Sequence, residues 1–309
     1  MSDLKNTGIA AQEGKFIIKE KPYPTPKYNE AIIKVNAVSL NRGEVRRDVN
    51  SKEEIFPGWD LSGEVIQAAE DGSGPKNNKR VVGFLSTGAW SQYVAVATNA
   101  LAELPDDVSD EDASTLPVAG LTALLTLLKG EQLIGKRVLI TGSTGGVGVF
   151  AIQLAKLSGA YVVALVRNEA DVDFIKDFGA DEVLVNSVEN AEPFDLILDS
   201  VGGDELNELV KITKPFGKII SFGNSFGKPV SAFDISRLYS SSVTIYGFIL
   251  FNELKHLPAS EGLSKLVNLL HEKKLKTLIE KKDDWKNIQT TADNLIDRKY
   301  KGKAVLYVK

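Results

Sequence analysis

A glycine-rich turn is the strongest structural signal in this 309-residue chain. Gly142, Gly145 and Gly148 are spaced three apart within Val138–Lys156, where an apolar strand runs into the turn and then into an amphipathic helix. Side chains at these glycines would hold the backbone away from a pyrophosphate, which the exposed N–H groups and the helix dipole would otherwise face. Because the flanking strand and helix accompany the glycines, the segment predicts a dinucleotide-binding turn rather than a plain strand–helix connection.

Short apolar strands alternate with helices throughout the region around this turn. Strands that are apolar along their whole length belong to a parallel sheet covered on both faces. Six such strands with helical connections predict a doubly wound α/β domain that binds a dinucleotide. The six segments are Arg137–Thr141, Tyr161–Val166, Glu182–Val185, Asp195–Asp199, Gly217–Phe222 and Val243–Tyr246.

The first hundred residues have a different pattern, with apolar and polar residues alternating in short runs between turn residues. Ala31–Val38 is the clearest run, and no long helical pattern interrupts the series. We therefore expect a mainly antiparallel β domain over residues 1–110. The last strand, Lys303–Val308, is expected to return to this domain, so residues 274–309 complete it and residues 111–273 form the dinucleotide-binding domain.

The composition excludes several kinds of chemistry. There is no cysteine, which rules out disulfides, iron–sulfur clusters and thiolate zinc sites, and the two histidines, His256 and His271, lie late in the chain among lysines. We therefore expect no functional metal and no catalytic role for either histidine. A net charge of −4 argues against nucleic acid or anionic membrane as a partner. Without a signal peptide or an apolar run of spanning length, we expect a soluble, cytoplasmic protein.

The end of the second parallel strand bears on the choice of cofactor. A site for NAD usually places Asp or Glu there to bind the ribose 2′-hydroxyl. Here Val166 occupies that position, and Arg167 and Asn168 follow. An arginine suits a 2′-phosphate, so the sequence favours NADPH, with a solvated strand-end charge as the alternative reading of Arg167.

The order and spacing of five segments resemble the zinc-independent medium-chain dehydrogenases/reductases of the quinone oxidoreductase type. The likeness covers nearly the whole chain, and its segments are Ala37–Arg47, Leu116–Ala123, Gly142–Gly148, Asp199–Gly203 and Gly302–Leu306. The resemblance implies a GroES-like β domain plus a Rossmann domain with a cleft between them. It also places Asn41 where zinc-dependent relatives have a ligand cysteine, and Trp59 near their ligand histidine.

The resemblance further implies a set of cofactor contacts. Arg46 stands where quinone reductases often carry a tyrosine in the substrate cleft, and Asn186 where many carry one near the nucleotide phosphate. The implied cofactor-binding residues are Thr122, Gly142, Ser143, Thr144, Gly145, Gly146, Val147, Gly148, Arg167, Asn168, Gly223, Asn224, Phe248, Ile249, Leu250 and Lys303.

These features together predict an NADPH-dependent oxidoreductase that reduces quinones. Asn41 or Arg46 would donate hydrogen bonds to the oxygen on which negative charge develops. Two alternatives stay open: reduction of the C=C bond of enones or enoyl thioesters, and an NADPH-binding protein without turnover. The apolar strand within Ser241–Gly247 would leave an open sheet edge in a monomer, so we also expect a homodimer.

Overall fold

The structure, a computed structural model, describes residues 5–225, 227 and 230–309. The strands are β1 (Asn6–Gln12), β2 (Lys15–Lys21), β3 (Glu30–Leu40), β4 (Asp60–Gln67), β5 (Arg80–Phe84), β6 (Tyr93–Ala97), β7 (Leu101–Glu103), β8 (Arg137–Ile140), β9 (Tyr161–Val166), β10 (Glu182–Val185), β11 (Phe194–Asp199), β12 (Thr213–Ser221), β13 (Thr244–Gly247), β14 (Ile279–Asp284) and β15 (Lys303–Tyr307).

The α-helices are mostly short. They are α1 (Arg42–Asp48), α2 (Asp110–Ser114), α3 (Leu121–Leu128), α4 (Gly146–Leu157), α5 (Val172–Lys176), α6 (Glu205–Lys211), α7 (Ile235–Ser241), α8 (Leu250–Glu253), α9 (Ala259–His271) and α10 (Ile288–Ile296). A π-helical turn, Leu116–Gly120, connects α2 to α3. No helix in the described ranges has the length and apolar character needed to span a membrane.

The chain divides into two compact units. The first contains the described residues up to Leu121 together with Leu254–Lys309, and the second is Thr122–Glu253. These bounds differ from the expected 110/111 and 273/274, because residues 111–121 and 254–273 belong to the first unit. The reason is α9, whose apolar face packs on β5, β7 and the π-helical turn, where the absence of a side chain at Gly120 makes room for Leu266.

The first unit is built on a mainly antiparallel sheet, in which β14 runs parallel to β15. Its strand order is β14-β15-β3-β4-β5-β7, β6 also pairs with β3, and β1 and β2 form a separate pair. Strand β15 lies antiparallel to β3, with Ala304 opposite Leu40, so the end of the chain completes the sheet. The alternating apolar residues of these strands face one core, in which Trp90 and Trp285 are fully enclosed.

The second unit contains one parallel sheet, which confirms the predicted doubly wound fold. Its strand order is β10-β9-β8-β11-β12-β13, with every neighbouring pair parallel. The order reverses between β8 and β11, and ligands of such sheets bind outside the carboxyl ends of the strands at this reversal. The glycine-rich turn follows β8 and therefore lies at that edge.

Candidate active site

The three glycines of the turn have three different structural roles. Gly142 has φ +61°, and a Cβ there would lie 2.2 Å from Ser200 Oγ. A Cβ on Gly148 would lie 2.5 Å from the Gly142 carbonyl oxygen, so this glycine lets α4 approach the turn. Among the described residues, a Cβ on Gly145 would meet only the Gly142 carbonyl oxygen, at 3.3 Å. The turn therefore fits a bound pyrophosphate, which needs close approach to the backbone at Gly145.

The remaining residues of the turn divide into internal and accessible ones. Ser143 is buried and its hydroxyl donates to the Ile140 carbonyl oxygen at 2.7 Å, so it closes the turn rather than facing a ligand. Thr144, Gly146 and Val147 are half-buried at the start of α4. The free backbone N–H groups of a helix start and its dipole favour an anion at this place.

Asp199 holds the neighbouring strand ends together. It is fully buried at the end of β11, and its carboxylate accepts hydrogen bonds from Thr141 Oγ1 at 3.2 Å, from Ser221 Oγ at 3.1 Å and from Val201 N–H at 2.9 Å. It thus ties the carboxyl ends of β8, β11 and β12. Burial, and then the Asp199 charge, raise the pKa of the Glu205 carboxyl nearby. The sequence offered one signal of this role, an acid directly after the apolar run 196–198.

Other residues of this unit that are predicted to contact the cofactor come shortly after the ends of β9 and β12. Arg167 and Asn168 are exposed directly after β9, whereas Val166 is buried. Gly223 and Asn224 follow β12, and a Cβ on Gly223 would lie 2.8 Å from the Ser200 carbonyl oxygen.

The residues predicted to contact the nicotinamide half of the cofactor differ in exposure. Phe248 and Leu250, after β13, are buried between neighbours, while Ile249 between them is 57% exposed. Thr122 is buried near the start of α3. Because the sheet is parallel, the carboxyl ends of β8, β9, β12 and β13 lie at the same edge. The predicted cofactor-binding residues that follow these strands therefore lie at that edge too.

The first unit contains a second polar site, a buried cluster formed by Asn41, Glu44, Asp60 and Lys303. Glu44, Asp60 and Lys303 are each at most 3% exposed. The Lys303 ammonium donates to Asn41 Oδ1 at 2.5 Å and to Asp60 Oδ2 at 3.2 Å. Lys303, predicted as a cofactor contact, is thus engaged with two residues of its own unit, and that role stays a prediction.

The amide of Asn41 is directed into this cluster. Its Nδ2 donates to Asp60 Oδ2 at 2.8 Å and to Glu44 Oε1 at 3.1 Å, so both amide hydrogens reach carboxyl oxygens. This geometry differs from the expectation that Asn41 donates to a substrate oxygen. Asn41 instead begins α1, and Glu44 Oε1 accepts its backbone N–H at 2.7 Å, as in a capping box. The spacing Asn-x-x-Glu was the sequence signal for this arrangement.

Asp60 also shapes the connection between α2 and α3. Its Oδ1 accepts the Val118 N–H at 2.9 Å, and its Oδ2 accepts the Ser39 hydroxyl at 2.7 Å. Pro117 has no N–H to donate, and the bond from Val118 to Asp60 takes a second donor out of the helical pattern. The π-helical turn Leu116–Gly120 is located at these two residues.

Arg46 and Trp59 lie on or against α1. Arg46 is exposed. Trp59 is 8% exposed; a Cβ on Gly43 would lie 3.3 Å from its ring, and the Arg47 guanidinium lies 5.1 Å from its ring centre. Arg47 rather than Arg46 therefore covers this tryptophan.

Both histidines of the chain lie at exposed positions of the first unit. His271 Nδ1 lies 2.7 Å from Asp107 Oδ1 at an exposed position, and His256 is exposed as well. Across residues 5–225, 227 and 230–309, no group of three or more His, Cys, Asp or Glu residues could hold a metal ion.

Two family models match the chain. The one described as alcohol dehydrogenase GroES-like domain matches residues 27–106, and the one described as zinc-binding dehydrogenase matches residues 146–271. The chain is 30% identical, over 315 residues, to the chloroplast envelope quinone oxidoreductase homolog of Arabidopsis thaliana, covering 92% of each protein.

Solved structures show the same relationship. The quinone oxidoreductase from Coxiella burnetii superposes with a TM-score of 0.84 at 25% identity, covering 99% of this chain and 100% of that one. The CurK enoyl reductase shares the fold, with a TM-score of 0.86 at 22% identity, covering 98% of this chain and 99% of that one. With both units matched in order along the whole chain, this protein belongs to the medium-chain dehydrogenase/reductase family and is of the quinone oxidoreductase type.

Proposed function

We propose that the protein is an NADPH-dependent oxidoreductase that reduces quinones without a metal. The observation that carries the proposal is the glycine-rich turn after β8, where Gly145 leaves open space for a pyrophosphate. Members of the family bind nicotinamide cofactors; the Arabidopsis relative is described as a quinone oxidoreductase homolog and the Coxiella protein as a quinone oxidoreductase. Family membership supports a nicotinamide cofactor, and we propose NADPH as that cofactor and a quinone as the acceptor.

The chain's own residues would hold the cofactor at two places. The N–H groups of Gly146 and Val147 at the start of α4 would bind the pyrophosphate, whereas the Gly145 N–H donates to the Gly142 carbonyl oxygen at 3.0 Å. The exposed guanidinium of Arg167 would bind the 2′-phosphate, since a planar fork of donors matches phosphate oxygens. When bound, NADPH supplies the hydride.

On the acceptor side, we propose Arg46 as the hydrogen-bond donor. A quinone delocalises the developing negative charge onto a remote oxygen, and a fixed cation stabilises that oxygen. Arg46 is exposed on α1, whereas both amide hydrogens of Asn41 are engaged with carboxyl oxygens. Arginine keeps its proton at neutral pH, so the proton that completes the hydroquinone comes from solvent.

A panel assay tests the proposal. The protein is mixed with NADPH and a series of quinones and enones without oxygen, and the absorbance of reduced nicotinamide is followed. We expect consumption with quinones, with one hydroquinone formed per NADPH. Consumption with enones alone would favour C=C reduction, and binding without consumption across the panel would favour a non-catalytic NADPH-binding protein.

A further inference from the structure

The cluster of Asn41, Glu44, Asp60 and Lys303 contains more acid than base. Lys303 and Asp60 form a buried ion pair, with 4% and 0% of their side chains exposed. Their charges balance each other. Glu44 is a second carboxyl group, fully buried, and the Lys303 ammonium makes no hydrogen bond or ion pair to it in the part of the chain that the structure describes.

The contacts of Glu44 are unequal at its two oxygens. Oε1 accepts two hydrogen bonds from Asn41, one from the backbone and one from the amide. Oε2 is buried and has no hydrogen-bond partner among the described residues. A buried carboxylate oxygen without a donor is strongly unfavourable, while a neutral carboxyl group tolerates the same place far better.

The charges that face Glu44 come from the elements around it. Asp60 on β4 disfavours a second negative charge, Lys303 on β15 favours it, and Arg47 on the same helix pairs with Asp48. Helix α10 packs against α1, and its Ile296 carbonyl oxygen accepts a hydrogen bond from the Arg42 guanidinium at 3.3 Å. Burial and then the Asp60 charge raise the pKa of Glu44 well above its usual range, although Lys303 and Asn41 oppose the shift.

We propose that Glu44 keeps its proton at neutral pH and, as a neutral acid, is a positioning residue that holds the Asn41 amide and through it the Lys303 ammonium. The part of the proposal that concerns NADPH rests on the proposed function. In the neutral state, Asn41 Oδ1 faces Lys303 and the cluster has no net charge. Ionisation adds a negative charge beside Asp60 and draws the Lys303 ammonium away from Asn41. Because Lys303 is predicted to contact the cofactor, the affinity for NADPH falls when Glu44 ionises.

Glu44→Gln tests this directly, because glutamine keeps the shape and the neutral charge but cannot ionise. In the wild type, the KM for NADPH rises with pH by up to tenfold per unit above the pKa of Glu44, while kcat changes little. In E44Q this rise is absent. The matched control is Glu205→Gln, which removes a second glutamate whose pKa is raised by burial and which lies in the second unit. E205Q keeps the rise seen in the wild type.

Two readouts do not depend on turnover. Infrared spectra of protein with ¹³C-labelled glutamate report a protonated carboxyl band at neutral pH; the share of this band that belongs to Glu44 is absent in E44Q and present in E205Q. Folding stability gives the second: the folded state holds a proton that the unfolded state releases above the ordinary glutamate pKa. The folding equilibrium constant of the wild type therefore falls relative to E44Q, by up to tenfold per pH unit, until the folded pKa is passed.

The outcomes separate the two proposals. If the protein never consumes NADPH, the proposed function fails, and the infrared band and the stability profile still decide the state of Glu44. An unchanged carboxyl band in E44Q, or the same pH profile of stability in E44Q and the wild type, overturns the proposal. If E44Q does not fold, the pH titration of the band in labelled E205Q decides, and a band absent at neutral pH refutes it.

Discussion

Replacing Gly145 by alanine separates cofactor binding from folding. Gly145 has φ −83° and ψ 169°, which alanine adopts without strain, and of the residues that the structure describes the added Cβ would contact only Gly142, at its carbonyl oxygen, 3.3 Å away. A shift of a few tenths of an ångström relieves that contact. Since Gly145 precedes α4 as its N-cap, we expect a loss of about 1 kcal/mol or less in the free energy of unfolding.

The same methyl group would occupy the open space in which the pyrophosphate is expected. Loss of one hydrogen bond to a charged group costs about 1.5–3 kcal/mol, which is roughly 10- to 150-fold in Kd. Titration of G145A with NADPH, followed by calorimetry, measures this change. Unchanged NADPH affinity in a folded G145A would refute the assignment of the turn.

Gly148→Ala is the matched comparison. Its Cβ would lie 2.5 Å from the Gly142 carbonyl oxygen and 2.7 Å from Ser143 Cα, both of which are backbone atoms. Overpacking of this kind typically costs about 1–3 kcal/mol. We therefore expect G148A to lose thermal stability, whereas G145A loses affinity.

Four further predictions concern specificity, the acceptor, metal and assembly. Arg167→Ala should raise the KM for NADPH by roughly 10- to 150-fold and hardly change that for NADH; equal use of both cofactors by the wild type would contradict it. Arg46→Leu should lower the rate of the hydride step by about 10²–10³ with NADPH binding nearly intact, and a stopped-flow ratio near one would exclude Arg46. Elemental analysis should find far less than one zinc per chain, and stoichiometric zinc required for turnover would overturn this. Light scattering should give a dimer mass, because the β13 edge is largely exposed; a monomer at micromolar concentration would count against it.

The parallel sheet and its nucleotide turn could be predicted because their signals are local. The turn needs glycines within seven residues of one another, and each buried strand is a short apolar run. The boundary between the units was less predictable. Whether α9 packs on one sheet or another depends on which partner its apolar face meets, and the helical period shows only that such a face exists.

The buried cluster could not be predicted from the sequence, for a different reason. Lys303 and Asp60 are 243 residues apart in sequence, and no local pattern indicates that they pair. The direction of the Asn41 amide follows from that pairing, because the carboxyl groups of Glu44 and Asp60 take its two hydrogens. The resemblance identified Asn41 as a site residue but did not show that its donors face inward.

Single-turnover reduction of a quinone, with NADPH deuterated at C4 on one face or the other, tests whether this chain passes hydride from NADPH to a conjugated acceptor. We predict a primary isotope effect for one face only, with the deuterium then released to solvent from a hydroquinone hydroxyl. The absence of an isotope effect for both faces, under conditions in which the chemical step limits the rate, would exclude hydride transfer from NADPH to the quinone.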